Sequence, residues 1–175
     1  MEHYSTGPET DRLQHRAFTV DDAETFFALN SNPDVMRFTG EPILPSLDAA
    51  RQSIANYVDF DTLGYGRWAS VLKESQTIIG FCGLKYLPDL DVVDVGYRFL
   101  PRYWGRGLGT EACVASLDFG FTTLCLDQIV GFVVPGNVSS IRVLEKAGMQ
   151  SDGEFDYAGI QALRYVKWRP LPAKN

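Results

Sequence analysis

Hydrophobic and polar positions follow different periods along this chain, and the changes of period divide it into helical and extended stretches. Apolar residues recur at helical spacing after the acids Asp21 and Asp22, and again after Ser46, a residue type suited to a helix N-cap. From Arg67 onward, short apolar runs bounded by polar or proline-containing turns indicate strands. The predicted helices cover about 21–29, 46–58, 107–121 and 137–147, and the predicted strands cover about 13–18, 68–72, 77–86, 92–100, 128–134, 150–157 and 161–168.

The order of these elements predicts an α/β fold of the α+β kind. Its central sheet is expected to be mixed but mostly antiparallel, with about seven strands and about four helices. The helix at 107–121 is apolar on nearly all sides, which predicts deep packing against that sheet. The segment 34–45 is too irregular to assign to one element. We expect a flexible lead-in at 1–11, a single domain over 12–170 and a tail at 171–175.

Composition narrows the class of protein. The chain has 175 residues, of which 45% are hydrophobic and 22% charged, so one ordinary globular domain is expected. A net charge of −6 argues against a general nucleic-acid binder and weakly suits amine substrates. No apolar run approaches the roughly 20 residues that span a bilayer, and no signal-peptide core precedes the domain. We therefore expect a cytoplasmic protein without membrane or nucleic-acid partners.

The three cysteines, Cys82, Cys113 and Cys125, are far apart and lack C-x-x-C spacing. This pattern indicates neither a disulfide framework nor a zinc site. We expect buried apolar cysteines in a reducing compartment and no bound metal.

The stretch 94–112, D-V-G-Y-R-F-L-P-R-Y-W-G-R-G-L-G-T-E-A, carries the strongest functional signal. Gly105, Gly107 and Gly109 stand two residues apart between a predicted strand and a predicted helix. Glycines permit positive φ and close approach of backbone N–H groups to a ligand, and a helix N-terminus attracts negative charge. Such a loop suits a phosphate or pyrophosphate.

Other glycine loops can be separated by their spacing. A P-loop requires Lys-Ser or Lys-Thr after its glycines, and neither pair occurs in this loop. A dinucleotide fingerprint requires G-x-G-x-x-G after the first strand, whereas this chain has G-x-G-x-G in its middle. The glycines alone do not exclude a glycine-rich turn that binds no ligand.

The passage resembles motif A of the GCN5-related N-acetyltransferase (GNAT) superfamily, commonly [QR]-x-x-G-x-[GA], with Trp104 where Gln or Arg is usual. Within the superfamily it is similar to the ribosomal-protein N-terminal acetyltransferases. The resemblance implies an acetyl-CoA loop between strand 4 and helix 3. It implies that the Arg98 and Phe99 backbone pairs with the pantetheine arm. It also implies that the pyrophosphate is held by backbone amides of Trp104, Gly105, Arg106, Gly107, Leu108, Gly109 and Thr110.

A second passage, V-V-P-G-N-V-S-S-I-R-V-L-E-K-A-G-M at 133–149, resembles motif B of the same superfamily. Two motifs in the right order are a stronger signal than either alone, and the resemblance extends from about Leu13 to Trp168. It implies that Asn137 contacts the pantetheine arm and that Ser140 faces the same region. Asn137 is equally suited to a plain helix N-cap, and the two roles are compatible.

Acetyl transfer to an amine requires a neutral amine, a polarised thioester carbonyl and a stabilised leaving thiolate. The resemblance implies that a backbone N–H near Phe99 polarises the carbonyl. Many relatives carry a Tyr that acts as the general acid where this chain has Leu144. Ser140 or a water must then protonate the leaving thiolate, or the thiolate is released directly. Asp94, where relatives often have Glu, is the best candidate base, Glu41 is a weaker one, and a water chain is the alternative. A lone His15 is more often structural.

Together these features predict an acetyl-CoA-dependent N-acetyltransferase that works by direct transfer in a ternary complex. No cysteine falls in either motif, which disfavours an acetyl-cysteine intermediate. The acceptor is a protein N-terminus or a small amine, and the protein is a monomer or a homodimer. A catalytically silent acyl-CoA-binding module and a ligand-free interaction domain are the alternatives.

Overall fold

A seven-stranded sheet in the order β1-β2-β3-β4-β5-β7-β6 forms the centre of the computed structural model, which describes residues 3–157 and 159–171. Neighbouring strands are antiparallel except β4 and β5. The mostly antiparallel mixed sheet predicted from the sequence is therefore confirmed. The strands are β1 (Leu13–Arg16), β2 (Arg67–Leu72), β3 (Thr77–Leu87), β4 (Val92–Phe99), β5 (Gln128–Val133), β6 (Gln150–Tyr157) and β7 (Ile160–Trp168).

In the described ranges four helices have eight or more residues, in agreement with the prediction, and two have four. They are α1 (Ala23–Asn30), α2 (Pro33–Met36), α3 (Leu47–Ala55), α4 (Asp59–Thr62), α5 (Leu108–Thr122) and α6 (Val138–Lys146). The Ser46 side chain accepts the Ala49 N–H and starts α3 as expected. The helix predicted to run to residue 58 stops at Ala55, because the chain turns at Asn56 before α4 begins.

The two helical layers lie on opposite faces of the sheet. Helix α5 packs on β3 and β4, and its buried residues lie on several sides of the helix, as its apolar composition predicted. Gly120 permits the close approach of α5 to the sheet, because a Cβ there would lie 2.5 Å from the Ile129 side chain of β5 and 3.0 Å from the Leu84 side chain of β3. On the other face, α1 and α3 form a separate apolar cluster around Ala23, Ala50 and Ile54.

Strands β4 and β5 share a single register pair, Asp94 with Val130. Beyond this pair β5 continues its ladder with β7, so residues 95–99 of β4 have no register partner on the β5 side. The two parallel strands therefore separate toward their carboxyl ends. The gap opens beside the loop that joins β4 to α5.

The segment before β1 contacts the domain closely. The Tyr4 ring lies 5.2 Å from Phe119, and the Trp68 indole N–H donates to the Tyr4 carbonyl at 2.7 Å. Thr6 bridges Arg16, and the Gly7 N–H donates to the His15 carbonyl. Residues 4–7 therefore lie against the domain through backbone hydrogen bonds and through the packing of the Tyr4 ring on Phe119. Among the described residues, no helix combines the length and hydrophobicity needed to cross a membrane.

Candidate active site

The glycine loop leaves a row of backbone N–H groups available to a ligand. Gly105 and Gly107 adopt left-handed conformations, with φ of 71° and 77°. Gly107 is the N-cap of α5 and has no side chain to accept the helix N–H groups. In the described part of the chain, no backbone carbonyl accepts the N–H groups of residues 105–110. Because unpaired N–H groups and the helix dipole converge here, the loop is suited to an anionic group.

Residues distant in sequence hold this loop in place. The Arg12 Nη1 donates to the Arg106 carbonyl at 3.0 Å, and its Nε donates to Glu111 at 2.7 Å. Glu111 also accepts the Thr10 hydroxyl at 2.6 Å and the Arg12 N–H at 3.0 Å. Burial alone would raise the pKa of Glu111, but these hydrogen bonds lower it. Sequence reasoning missed these three residues, since no local pattern relates Thr10 and Arg12 to a loop about a hundred residues away.

Trp104 occupies the position at which relatives usually have Gln or Arg. Its indole N–H donates to the Phe99 carbonyl at 2.6 Å, and its ring is half exposed at the mouth of the β4–β5 gap. The indole therefore supplies a side-chain N–H donor, as Gln or Arg would. Because the Phe99 carbonyl accepts this hydrogen bond, it is not free for the pantetheine arm, which the resemblance had paired with the Phe99 backbone.

The alternation of backbone groups along β4 decides which residues face the gap. The Leu100 N–H donates to the Ile79 carbonyl of β3, so the N–H and C=O groups of even-numbered residues point toward β3. Consistently, a Cβ at Gly80 would lie 2.1 Å from the Arg98 carbonyl oxygen. Tyr97 and Phe99 therefore present their backbone groups to the gap. The Phe99 backbone therefore faces the gap, as the resemblance implied. The Arg98 backbone is turned toward β3 instead, so Tyr97 is the second residue whose backbone could meet the pantetheine arm.

Asn137 and Ser140 lie together on the α6 side of the gap. The Asn137 side chain accepts the Ser140 N–H at 3.2 Å and caps α6. The Tyr97 hydroxyl lies 2.8 Å from the Ser140 hydroxyl and 3.1 Å from the Ser140 carbonyl, and its single proton can be donated to either oxygen. Burial raises the pKa of Tyr97 far above that of an ordinary tyrosine. Leu144 is buried against Gly131, so it contributes packing at the position where relatives carry the acid.

A cavity of about 290 Å³ lies on the opposite face of β4, between the sheet and the α1–α3 layer. Its lining is mainly apolar and includes the rings of Phe18, Phe26, Phe60 and Phe81. The Arg98 side chain reaches this cavity, where it donates to Asn30 at 2.7 Å and pairs with Glu41 at 2.7 Å. The cavity and the glycine loop therefore adjoin β4 from opposite faces of the sheet.

Asp94 lies at the fork where β4 and β5 separate. It is buried and forms an ion pair with Arg67 at 2.7 Å. Burial raises the pKa of Asp94, while Arg67 and a hydrogen bond from the Phe132 N–H oppose that shift. The Arg67 guanidinium lies against Gly96, where a Cβ would come within 2.4 Å of Nη2, so a side chain there would displace the guanidinium. Arg67 lines the cavity and Asp94 stands behind it.

The two other titratable candidates lie in different settings. Glu41 lines the cavity from the segment after α2, with about half of its side chain exposed and its carboxylate paired with Arg98. His15 is buried in β1, three strands away from β4 in the sheet order. It donates from Nδ1 to the Pro8 carbonyl at 2.6 Å, and burial lowers its pKa. This setting agrees with a structural role for His15.

Comparison with known sequences identifies the family of this chain. The family described as "Acetyltransferase (GNAT) domain" matches residues 12–150. An uncharacterized protein of Bacillus subtilis, YkkB, is 35% identical over 147 residues, which cover 80% of this chain and 83% of that protein. An uncharacterized N-acetyltransferase of Bacillus licheniformis, p20, is 30% identical over 146 residues, which cover 82% of each chain.

Solved structures show the same fold at lower identity. An acetyltransferase of the GNAT family from Bacillus anthracis has a TM-score of 0.80 at 24% identity, covering 93% of this chain and 98% of that one. A ribosomal-protein-S5-alanine acetyltransferase from Vibrio fischeri has a TM-score of 0.75 at 21% identity, covering 92% and 95%. A spermidine N-acetyltransferase from Vibrio cholerae, solved with CoA and spermine, has a TM-score of 0.77 at 20% identity, covering 91% and 97%.

The sequence match covers most of the chain, and the likeness in fold includes a ribosomal-protein acetyltransferase, the branch that the loop sequence resembles. The chain belongs to the GNAT acetyltransferase family and is an acetyltransferase.

Proposed function

We propose that this protein transfers the acetyl group of acetyl-CoA directly to a primary amine within a ternary complex. The observation that carries the proposal is the position of two sites on either side of one strand. The glycine loop and gap lie on one face of β4, and the apolar cavity lies on the other. A thioester in the gap and an amine in the cavity could then meet at β4 without a covalent enzyme intermediate.

Named residues would hold the co-substrate. The free N–H groups of the glycine loop suit the pyrophosphate, with Arg12 fixing the loop from behind. The outward backbone groups of Tyr97 suit an amide of the pantetheine arm, and Asn137 lies across the gap from them. The Phe99 carbonyl already accepts the Trp104 indole N–H, which leaves the Phe99 N–H for the thioester. In the Vibrio cholerae spermidine N-acetyltransferase CoA was captured in the solved complex, which supports CoA as the ligand of this fold.

The transfer step follows from these positions. The Phe99 N–H would polarise the thioester carbonyl, as an oxyanion donor does. The amine nitrogen attacks the carbonyl carbon, the C–N bond forms and the C–S bond breaks with its electron pair leaving on sulfur. The proton lost by the amine passes to a base, and the product is the acetamide.

We propose that the Ser140 hydroxyl stabilises the leaving sulfur. Its partner Tyr97 has a strongly raised pKa, so it is a poor donor of a whole proton to a thiolate whose own pKa is about 8.5. We therefore propose that Tyr97 donates its proton to the Ser140 Oγ, which orients the Ser140 hydroxyl so that it donates its own proton in a hydrogen bond to the sulfur. Ser140→Ala and Tyr97→Phe should each lower kcat by about tenfold, with little change in the acetyl-CoA Kd measured by titration. A large loss of acetyl-CoA affinity in both variants would instead assign the pair to binding.

Asp94 is the proposed base, acting directly or through a water beside Arg67. Its buried position raises its pKa and hence its basicity. Asp94→Asn should lower kcat by about 10² or more while acetyl-CoA still binds, and Asp118→Asn, at an exposed position of α5, serves as the carboxylate control. If Asp94→Asn retains kcat within a few-fold but unfolds more easily, Asp94 holds the fork and a water chain is the base.

The activity itself is tested in two steps. Calorimetric titration with acetyl-CoA, compared with CoA, should give saturable one-to-one binding. Release of CoA thiol should then be followed with a panel of small amines and N-terminal peptides. Binding without turnover on any acceptor would favour the silent acyl-CoA-binding module. Absence of binding at millimolar ligand would overturn the proposal.

A further inference from the structure

The cavity behind β4 combines an aromatic interior with three cationic side chains, of which Arg67 and Arg98 are paired with carboxylates and Lys85, within the described ranges, is not. Arg67, Lys85 and Arg98 line it, and Glu41 is the one carboxylate among the described lining residues. A polyamine would need several carboxylate partners for its ammonium groups, and this lining does not offer them. The electrostatics of the cavity therefore disfavour a polyamine acceptor.

Some of the cationic groups in this cavity have unused donors. Arg98 is engaged by Asn30 and Glu41, and Arg67 Nη2 is engaged by Asp94. The Arg67 Nε, in contrast, is buried and has no hydrogen-bond partner among the described residues. Lys85, next to Asp94 in the β3–β4 register, has no ion pair there either. The Nε is shielded against Gly96 and is not itself open to a ligand. The Lys85 ammonium, unpaired in the described part of the chain, and the charge of the neighbouring Arg67 guanidinium therefore make this end of the cavity suited to a ligand oxyanion.

We propose that the acceptor is a primary amine that also carries a carboxylate and a large apolar group, that is, an α-amino acid of the phenylalanine or methionine type. The proposal rests on the proposed function and names its acceptor. The carboxylate would bind at Arg67 and Lys85, and the apolar side chain would lie among Phe18, Phe26 and Phe60. At about 290 Å³ the cavity suits one small molecule.

Matched acceptors test the carboxylate directly. Thiol release from acetyl-CoA is measured with L-phenylalanine and with phenylethylamine, which differs by lacking the carboxylate, and with spermidine and an N-terminal peptide. We expect kcat/KM for L-phenylalanine to exceed that for phenylethylamine by about tenfold or more, the effect of a charge-assisted contact. L-methionine and 3-(methylthio)propylamine form a second pair with the same expected order. A preference for the decarboxylated amines, for spermidine or for the peptide overturns the proposal.

A charge variant shows whether the cavity causes the preference. Lys85→Gln should reduce the ratio of kcat/KM between the two members of each pair by at least about fivefold, whereas Lys146→Gln, an exposed lysine at the end of α6, should leave it unchanged. The ratio is taken within one preparation, so partial unfolding does not alter it. An unchanged ratio in Lys85→Gln contradicts the assignment of the carboxylate to this site. Failure of every amine to be acetylated would refute the proposed function, whereas acetylation without the carboxylate preference refutes this inference alone.

Discussion

At the scale of single residues, the conformation of two glycines determines the shape of the glycine loop. Gly105 and Gly107 are left-handed, and Gly107 begins α5 without a capping side chain. Gly109 differs, because its φ is not positive and an added Cβ would make ordinary contact, 3.7 Å, with the Phe99 ring. The three glycines look equivalent in the sequence but have different physical roles.

Gly107→Ala should therefore be costly where Gly109→Ala is not. A left-handed alanine costs about 1–2 kcal/mol, which lowers Tm by about 2–8 °C in a domain of this size. Relaxation of the loop should also weaken acetyl-CoA binding by about tenfold or more, since the loop N–H groups would no longer converge. Thermal unfolding and calorimetric titration measure the two effects. Equal behaviour of the two alanine variants would show that the left-handed conformation does not matter for binding.

At the scale of elements, the N-terminal turn of α6 contains the helix cap and also lies across the gap from β4. Asn137 caps the helix through the Ser140 N–H, and Ser140 in turn contacts Tyr97 of β4. The amphipathic pattern of α6 places Leu144 in the core and keeps this N-terminal turn near the gap. The helix therefore connects the packing of the domain to the proposed pantetheine site.

Two substitutions separate the capping role of Asn137 from a ligand contact. Asn137→Ala removes the cap and should lower the free energy of unfolding by about 0.5–2 kcal/mol. Asn137→Ser keeps a capping oxygen on a shorter side chain, so its stability should remain near that of the natural protein. Both variants should bind acetyl-CoA about three- to tenfold more weakly if the amide contacts the ligand. Unchanged affinity in Asn137→Ser would leave Asn137 with the cap alone.

At the scale of the whole molecule, Glu111 connects the segment before β1 to the start of α5, beside the glycine loop. It binds Thr10 and Arg12 before β1 and lies in the first turn of α5. Its lowered pKa reflects these hydrogen bonds, which outweigh the opposing effect of burial. Because the folded pKa is below the ordinary value of 4.5, the stabilisation is fully present above pH 4.5 and is lost as the pH falls through the folded pKa.

Glu111→Gln should therefore lower stability at pH 7 by about 1–2 kcal/mol and much less near pH 3. Denaturant unfolding at both pH values measures the difference. Asp118→Asn, on an exposed position of the same helix, should change little at either pH. A Glu111→Gln effect of equal size at both pH values would contradict the role of the ionised carboxylate.

Much of the fold could be predicted because its signals are local. The cap at Ser46, the glycine loop and the polar turns between strands depend on neighbouring residues, and the structure has these elements at the predicted places. The loop and Asn137 were also found from local motifs. The turn at Asn56 and the helix α2 were missed, since short helical turns carry little periodic signal.

The sequence by itself determined the family, the mixed sheet and the position of the glycine loop, because spacing and hydrophobic period act over a few residues. Tertiary structure alone decided which long-range partners meet. The pairing of Arg12 with the loop, of Tyr97 with Ser140 and of Arg67 with Asp94 joins residues 27–94 positions apart. The direction of backbone groups along β4 likewise depends on its register with β3. These features arise from packing between elements, which no local pattern encodes.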